Sequence, residues 1–371
     1  MNKPIKIAIF VNGGIGSGFE NQGVPALAQL VSDLGSNHEL TVFSMVDVPD
    51  YHPSDFKFVS IKSSFQAGFL SKITAGIRTF KPFFREKEPF DMIHALGGLP
   101  AGFMAALFSK FYRIPLLVNM LGGEAAAVKE INYGHLLKWK NRMLLKWVCK
   151  KANQIIFLTH YQRKLFTDKI KINGQVSVVP FGANLDKFNY TEKSLSKPYK
   201  FIHIANLTPV KGQRTMLDVF EKINRQYPSE LTIAGDGELR NELENYSKKL
   251  GLTHAITFAG AVNHNLLPKL LQESHFLIHN SLFEGQCVVF AEAASCGTVI
   301  CSTNVGLASD LGNEAAIVSR TNELADKIIE VIINSEQYSL LQKNAHHWAV
   351  ANTSSETVAS YRKLYSNIIG S

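Results

Sequence analysis

The stretch HFLIHNSLFEGQCVVFAEAASCGTVICS, residues 275–302, contains two short apolar runs separated by a helical pattern. Continuous apolar runs of this length, such as HFLIHN and TVICS, are typical of buried parallel strands. Between them, a loop containing Gly285 leads into a helix predicted to begin near residue 287. A strand–helix–strand unit of this kind predicts an α/β protein with a parallel sheet.

The same alternation extends to both sides of this stretch. Further strands of the C-terminal half are predicted at FIHIAN (from residue 201), LTIAG (from 231) and ITFAG (from 256). In the N-terminal half the predicted strands are apolar runs at residues 5–11, 39–44, 91–95, 115–120, 154–158 and 175–180. Helical patterns separate several of them, so each half resembles a doubly wound Rossmann-type unit.

The length of 371 residues agrees with about two domains. The polar stretch YTEKSLSKPYK, residues 190–200, has no periodicity and is interpreted as the interdomain linker. We therefore predict an N-terminal Rossmann-like domain over residues 1–188 and a C-terminal one over 189–350. Residues 351–371 are predicted to form a C-terminal helix that packs back on the N-terminal domain.

Composition excludes a disordered or fibrous chain, because 46% of the residues are apolar and 19% are charged. The net charge of +8 is unevenly distributed. Residues 1–182 hold 22 Lys and Arg against 12 acidic residues, a net of +10, and residues 183–371 hold 17 against 19, a net of −2. The asymmetry suggests that the N-terminal half faces something anionic.

Cysteine usage and hydropathy indicate a cytoplasmic protein. The four cysteines form no CxxC pair and have no nearby His with zinc-like spacing, so we expect reduced thiols and no metal site. The apolar run near the start, residues 7–11, is too short for a signal peptide, and no run reaches the length of a membrane span. Peripheral contact with the inner face of the membrane remains compatible with this pattern.

Two carboxylates near one helix N-terminus form the strongest functional signal. Seven residues separate Glu284, in the loop, from Glu292, in the following helix. A helix N-terminus suits phosphate, and carboxylates close to it can accept hydrogen bonds from sugar hydroxyls, which together suit a nucleotide sugar. The alternative is that Glu284 only complements the helix dipole and that Glu292 is an exposed helix residue.

Three further loops follow predicted strands. Lys211, in NLTPVKG, is placed to neutralise a diphosphate, although lysines before helices are common. Gly235–Gly237 is a tight turn at a strand's carboxyl end, where ligands of open α/β sheets collect. The glycine-rich loop of residues 13–18 lacks a complete GxGxxG, because position 19 is Phe, which disfavours a nicotinamide oxidoreductase.

Taken together, these segments resemble glycosyltransferase family 4, whose members are retaining enzymes of the GT-B fold. Glu284 and Glu292 match the E-x7-E motif, and AEAASCGTVICSTNVG resembles the stretch that follows the first glutamate. The remaining matches occur in the family's order, at VPFGANLDKF (179–188), IANLTPVKG (204–212), LTIAGDGELRNELE (231–244) and ITFAGAVNHNLLPKLL (256–271).

The resemblance implies two Rossmann-like domains that face each other across a cleft, the N-terminal one on the acceptor side and the C-terminal one holding the donor. It implies a nucleotide-sugar donor, with a UDP-sugar favoured, a glycan or lipid-linked acceptor, an α-glycosidic product, and neither metal nor cofactor. Lys211 would neutralise the diphosphate, Glu284 would hold the transferred sugar and Glu292 the ribose. The other implied donor-binding positions are Gly14, Gly16, Asn206, Gly237, Val262, Gly285, Gln286, Cys287 and Val288.

The chain also departs from the family pattern. Asn206 stands where the family has an arginine, and Leu121 stands where it often has a histidine. Gln286 and Cys287 replace residues of the EGFGL pattern. Glu124 is a candidate catalytic residue that would take over contacts near Leu121. The departures keep open a second hypothesis, a catalytically impaired scaffold protein that binds sugar nucleotides.

Two basic and aromatic stretches of the N-terminal half suggest contact with an anionic membrane. Residues 135–151 contain six Lys and Arg and two Trp, and residues 64–87 combine five Phe with five Lys and Arg. Such mixtures fit an interfacial membrane segment. For residues 135–151 the alternative is a core helix with snorkelling lysines. Nucleic acid is disfavoured as a partner, because no recognised binding motif accompanies the charge.

Overall fold

The computed structural model describes residues 4–13, 15, 24–48, 51, 53–64, 66–85 and 90–370. The chain divides into two compact units. Unit 1 comprises Met1–Pro180 and Thr357–Ser371, and unit 2 comprises Phe181–Glu356. Each contains one parallel sheet with helices on its faces, which is the predicted pair of Rossmann-like domains.

Unit 1 is built on a seven-stranded parallel sheet with the order β3-β2-β1-β4-β5-β6-β7. Its strands are β1 (Lys6–Val11), β2 (Glu39–Ser44), β3 (Lys57–Ser60), β4 (Met92–Leu96), β5 (Leu116–Met120), β6 (Gln154–Phe157) and β7 (Gln175–Val178). Its helices are α1 (Pro25–Gly35), α2 (Phe69–Phe80), α3 (Phe103–Tyr112), α4 (Trp139–Lys151) and α5 (His160–Thr167). Every residue of β4, β5 and β6 is buried, which is why their sequences are continuously apolar.

The C-terminal helix, numbered α13 (Ser354–Ile369), belongs to unit 1 from Thr357 onward. Its buried tyrosines join a polar network inside the unit. The Tyr365 hydroxyl lies 2.8 Å from His94 Nδ1, and Asn119 connects the other ring nitrogen of His94 to the Tyr361 hydroxyl. Burial lowers the pKa of His94 to about 4. The network explains how a helix from the end of the chain is held against β4 and β5.

Unit 2 is built on a six-stranded parallel sheet with the order β10-β9-β8-β11-β12-β13. Its strands are β8 (Tyr199–Ile204), β9 (Ser229–Ala234), β10 (Ile256–Gly260), β11 (Phe276–His279), β12 (Val299–Ser302) and β13 (Ile317–Val318). Its helices are α6 (Gln213–Gln226), α7 (Arg240–Lys249), α8 (Leu267–Gln272), α9 (Val288–Ser295), α10 (Gly306–Ala315), α11 (Thr321–Ile332) and α12 (Ser335–Ala351). Alternate strand residues enter two separate cores, with Phe276 in one and Leu277 in the other.

The predicted linker, residues 190–200, lies inside unit 2, and the division between the units falls earlier, after Pro180. Lys193 Nζ donates to Leu271 O at 3.0 Å and to Thr298 Oγ1 at 2.7 Å, and the Tyr190 ring packs on His346. Burial lowers the pKa of Lys193 to about 7. The stretch therefore looks like a linker in sequence because its polar side chains make long-range contacts that local periodicity does not reveal.

Among the described residues, no helix is both long enough and apolar enough to cross a membrane. The four cysteines are free thiols, and only Cys287 is more than marginally exposed.

Candidate functional site

The predicted site residues of unit 2 gather at the carboxyl ends of its central strands. β8 is the first strand of unit 2, with β9 and β10 on one side of it and β11, β12 and β13 on the other. The strand order therefore changes direction between β8 and β11, which makes this position a topological switch point. Ligands of open α/β sheets bind at such a switch point. The loops that follow β8 and β11 carry Lys211 and Glu284.

Lys211 and Glu284 form an ion pair at this switch point. Lys211 Nζ lies 2.7 Å from Glu284 Oε1, and the Ser281 hydroxyl donates to the same oxygen at 2.8 Å. The Glu284 side chain is 9% exposed and that of Lys211 is 23% exposed. A carboxylate that only complements the helix dipole can remain exposed to solvent. The burial of Glu284 and its ion pair with Lys211 therefore favour the interpretation as a site residue.

Gly212 brings the two loops into contact. Its φ of +60° lies in the left-handed region, and a Cβ there would approach Asn280 O to 2.2 Å. Only glycine accommodates both the backbone angle and this close approach. The turn Pro209–Lys211 is thereby held against the loop after β11, with Lys211 beside Glu284.

Glu292 is buried on α9 and belongs to a chain of polar contacts, which excludes the interpretation as an exposed helix residue. Its Oε1 lies 2.7 Å from His264 Nε2, and Lys187 Nζ lies 2.9 Å from His264 Nδ1. Because an ammonium only donates, Nδ1 accepts and Nε2–H donates to the carboxylate. His264 and Lys187 were not predicted as site residues, although both lie within the segments that resemble the family, 256–271 and 179–188.

The segment Gly285–Val288 connects the two glutamates. Cys287 is the N-cap of α9 with φ +65°, and no side chain caps the helix there. The pKa of the Cys287 thiol is raised well above its ordinary value, first by burial and then by Glu284, with a further contribution from Glu292. The negative charges of Glu284 and Glu292 therefore both affect the thiol at the N-terminus of α9. The Gln286 side chain is used elsewhere, because it exchanges hydrogen bonds with the Phe181 backbone.

The other donor-binding predictions have varied placements. Asn206 is exposed after β8, and its carbonyl accepts from Gln213 Nε2. At Gly237 a Cβ would lie 2.5 Å from Leu207 O, so glycine is required by close approach. Val262 packs partly buried against the core that contains Leu277. Gly14 and Gly16 lie outside the described residues.

Two buried histidines lie beneath Lys211 and were also missed from sequence. His203 on β8 and His279 on β11 have ring centroids 4.4 Å apart. Burial lowers the pKa of both imidazoles, and the nearby Lys211 ammonium lowers both further. The available signal was a histidine within each of two otherwise apolar strands.

Glu124 is buried in unit 1 and ties two loops together. Its Oε1 accepts from Gly98 N at 2.7 Å and its Oε2 from Gly122 N at 2.8 Å. It also lines a cavity of about 570 Å³ together with Leu121, Tyr133 and His135. The carboxylate thus connects the two loops by hydrogen bonds, and its predicted catalytic role stays a prediction.

Family models match most of the chain. Residues 186–348 match the glycosyl transferases group 1, and residues 26–182 match the glycosyl transferase 4-like domain. The chain is a family-4-like glycosyltransferase of the GT-B fold.

Two relatives of this glycosyltransferase share about a quarter of its aligned residues. An uncharacterized glycosyltransferase of Methanocaldococcus jannaschii is 24% identical over 76% of this chain and 77% of its own length. The UDP-Gal:alpha-D-GlcNAc-diphosphoundecaprenol alpha-1,3-galactosyltransferase of Escherichia coli is 25% identical over 59% of each chain, so the match spans less than two thirds of that enzyme.

Solved structures show the same fold as this glycosyltransferase. The sucrose-phosphate synthase of Thermosynechococcus elongatus has a TM-score of 0.82 at 16% identity, with 100% of both chains covered. Anabaena Alr3699/HepE, solved in complex with UDP and glucose, has a TM-score of 0.74 at 16% identity and covers 98% of this chain and 100% of its own.

Proposed function

We propose that this glycosyltransferase is a retaining, metal-independent enzyme that transfers a sugar from a nucleotide sugar to a cell-envelope glycan or lipid-linked acceptor. The product would be an α-glycoside, and the favoured donor is a UDP-sugar. The observation that carries the proposal is the largely buried Lys211–Glu284 pair at the switch point of unit 2, with Glu292 on α9 after seven intervening residues.

The pair gives the donor two complementary contacts. An ammonium has three N–H groups, so Lys211 can donate to a diphosphate oxygen while it still contacts Glu284. Glu284 accepts hydrogen bonds from the transferred sugar, and Glu292, steadied by His264, accepts them from the ribose. The uncapped N-terminus of α9 adds N–H groups and partial positive charge for phosphate.

The same charges would serve the chemical step. As the bond between the anomeric carbon and the phosphate oxygen breaks, negative charge develops on the leaving diphosphate, where Lys211 already lies. The acceptor hydroxyl forms its new bond to the anomeric carbon on the same face, and its proton passes to the leaving phosphate oxygen. Positive charge fixed in advance at a developing anion is often the largest catalytic contribution.

Relatives support the choice of donor and acceptor classes. The Escherichia coli relative is named for a UDP-sugar donor and a lipid diphosphate acceptor, and Anabaena Alr3699/HepE was solved with UDP. For this chain, the acceptor class is a proposal that extends these names.

A panel of UDP- and GDP-sugars tests the donor proposal by thermal stabilisation. Bound donor stabilises the folded state by RT ln(1 + [L]/Kd), about 2.7 kcal/mol at a hundredfold excess over Kd. We expect UDP-sugars to raise Tm more than GDP-sugars, and Glu292→Gln to reduce that rise. Glu230→Gln, which changes an exposed glutamate of β9, serves as the control. The absence of stabilisation by any nucleotide sugar would contradict the proposal.

A scaffold protein of the same fold is the second candidate. It is favoured by Asn206, which cannot supply the bidentate charge of the arginine in the family pattern, and by Leu121. The two candidates differ in hydrolysis of a bound UDP-sugar in the absence of acceptor. Slow release of UDP supports the enzyme, whereas tight binding without release supports the scaffold.

Exposed apolar side chains beside basic residues support contact with an anionic membrane. Leu70 on α2, Phe111 on α3, and Trp139 and Met143 on α4 are each more than half exposed. Trp139 and Met143 lie one helical turn apart, and Lys140, Lys146 and Lys150 of the same helix are also exposed.

Vesicle sedimentation tests the membrane proposal. We expect binding to vesicles with anionic lipid and little to zwitterionic ones, because each Lys or Arg near an anionic leaflet contributes about 1 kcal/mol. The double variant Trp139→Ser/Met143→Ser should sediment less, and Leu340→Ser, which removes an exposed leucine from unit 2, should behave as the unchanged protein. Equal binding to both lipid types at low salt would be evidence against an electrostatic membrane contact.

A further inference from the structure

His279, Glu284 and Cys287 converge at one point of unit 2. His279 ends β11, Glu284 lies in the loop that follows, and Cys287 caps α9. One ligand atom from each, an imidazole nitrogen, a carboxylate oxygen and a thiol sulfur, lies within 4.8 Å of the other two. The cysteines have no nearby histidine with zinc-like spacing, so the sequence predicts no metal site here.

The His279 imidazole is fully buried and lacks hydrogen bonds of good geometry. The residue has no exposed surface, and within the described residues neither ring nitrogen makes a hydrogen bond. Its interaction with the Ile204 backbone falls outside hydrogen-bond geometry. A buried polar group that lacks its hydrogen bond destabilises a fold by roughly 1–3 kcal/mol. A ligand bound to an imidazole nitrogen of His279 would remove this destabilisation.

Cys287 is the one partly exposed cysteine of the chain, since Cys149, Cys296 and Cys301 are buried. It is also one of three described non-glycine residues with positive φ, at +65°. A side chain held in this conformation costs on the order of 1–3 kcal/mol. The resemblance places Cys287 at the second glycine of the EGFGL pattern. The chain therefore has a cysteine with a strained backbone angle at a position where glycine would adopt the same angle without strain.

We propose that His279, Glu284 and Cys287 bind a soft divalent cation of the Zn²⁺ class, with the fourth coordination position open. Thiolate, imidazole and carboxylate together form a donor set that suits Zn²⁺ rather than Mg²⁺. Bonds of about 2.0–2.3 Å to a tetrahedral ion place ligand atoms roughly 3.3–3.8 Å apart. The three atoms therefore need to move together by about 1 Å, which side-chain rotation can provide.

Binding would change both charge and contacts at the donor site. The Cys287 thiol loses its proton to solvent as the metal–sulfur bond forms, and Glu284 turns its oxygen from Lys211 to the cation. A dication beside the Lys211 ammonium then occupies the carboxylate assigned to the transferred sugar. The metal would therefore inhibit donor binding, a consequence that rests on the proposed function, whereas the metal site itself does not.

The site is tested with the metal alone on the full chain, freed of ions by a chelator. Titration with Co²⁺, which substitutes for Zn²⁺ and is coloured, should give one equivalent per chain and a thiolate-to-metal charge-transfer band. Cys287→Ser and Cys287→Gly should lose the band and weaken metal binding by more than about tenfold, since even outer-shell changes weaken it by 10- to 100-fold. Cys149→Ser, which changes a buried thiol of unit 1, should keep both.

Cys287→Gly distinguishes the loss of a metal ligand from the loss of folding. Glycine relaxes the positive φ, so this variant should be at least as stable as the unchanged protein while it no longer binds the metal. A charge-transfer band that persists in Cys287→Gly, or no band in the unchanged protein, would overturn the proposal.

Competition separates the metal site from the proposed function. If Zn²⁺ lowers UDP-sugar binding and a chelator restores it, both proposals are supported. If Co²⁺ binds with the thiolate band but donor binding is unaffected, the inhibitory role fails and the metal site stands. If a UDP-sugar binds and Co²⁺ shows no thiolate band, the metal site fails and the proposed function stands.

Discussion

Lys211→Ala is expected to lower kcat/KM for sugar transfer by on the order of 100- to 1,000-fold, the effect of removing one preorganised group at a developing negative charge. Lys211 Nζ lies 2.7 Å from Glu284, so the substitution removes the cation from the proposed diphosphate site and also leaves a buried carboxylate with one fewer partner. Transfer of labelled sugar from a UDP-sugar, measured at several donor concentrations, separates kcat from KM.

Two controls test whether the loss of transfer comes from the missing Lys211 charge at the site. Lys222→Ala removes an exposed lysine of α6 and should leave transfer unchanged. Comparison of Tm for Lys211→Ala and the unchanged protein shows how much of the loss comes from destabilisation around Glu284. An unchanged transfer rate in a folded Lys211→Ala protein would refute the electrostatic account of the chemical step.

Acidification is expected to destabilise unit 2 before unit 1. Burial lowers the pKa of described histidines in both units: His38 and His94 in unit 1, and His203, His275, His279 and His346 in unit 2. For His94, His203 and His275 the pKa is lowered to about 4, and for His279 it is lowered well below 6.5.

The direction of the effect follows from proton linkage. Between pH 6.5 and about 4 the unfolded chain holds protons on these imidazoles and the folded chain does not, so the free energy of unfolding falls as the pH falls. Each such histidine contributes on the order of 1 kcal/mol per pH unit, and among the described residues unit 2 has four of them against two in unit 1. Several such histidines together therefore remove a substantial part of the stability of a typical domain, about 5–15 kcal/mol, over one or two pH units.

Urea unfolding at a series of pH values measures this slope, and tryptophan positions distinguish the units. Trp348 is the one tryptophan of unit 2, whereas Trp139 and Trp147 belong to unit 1. We expect the Trp348 signal to be lost at higher pH than the other two. His203→Gln should reduce the proton uptake of unit 2 by about one. Stability independent of pH between 6.5 and 5 would contradict the prediction.

Local sequence patterns located eleven of the thirteen described strands, including the edge strands β7 and β10, and missed β3 and β13. β4, β5 and β11 are buried on both faces, so their apolar runs are continuous and their predicted bounds agree within about a residue. The two strands without a prediction are short: β3 has four residues, none of them buried, and β13 has two. Residues 190–200 resembled a linker because the contacts of Lys193 are made with distant parts of the chain.

For the site, the sequence by itself determined the positions of Lys211, Glu284 and Glu292, since each follows a readable strand or lies on a readable helix within the motif order of the family. Only the tertiary structure decided their partners. Lys211 meets Glu284 across 73 residues, His264 meets Glu292 across 28, and Lys187 meets His264 across 77. A parallel sheet collects the carboxyl ends of its strands at one edge, so side chains far apart in sequence become neighbours there. Which of these side chains form hydrogen bonds depends on their distance in space and on their burial. The local periodicity of the sequence contains no information about either.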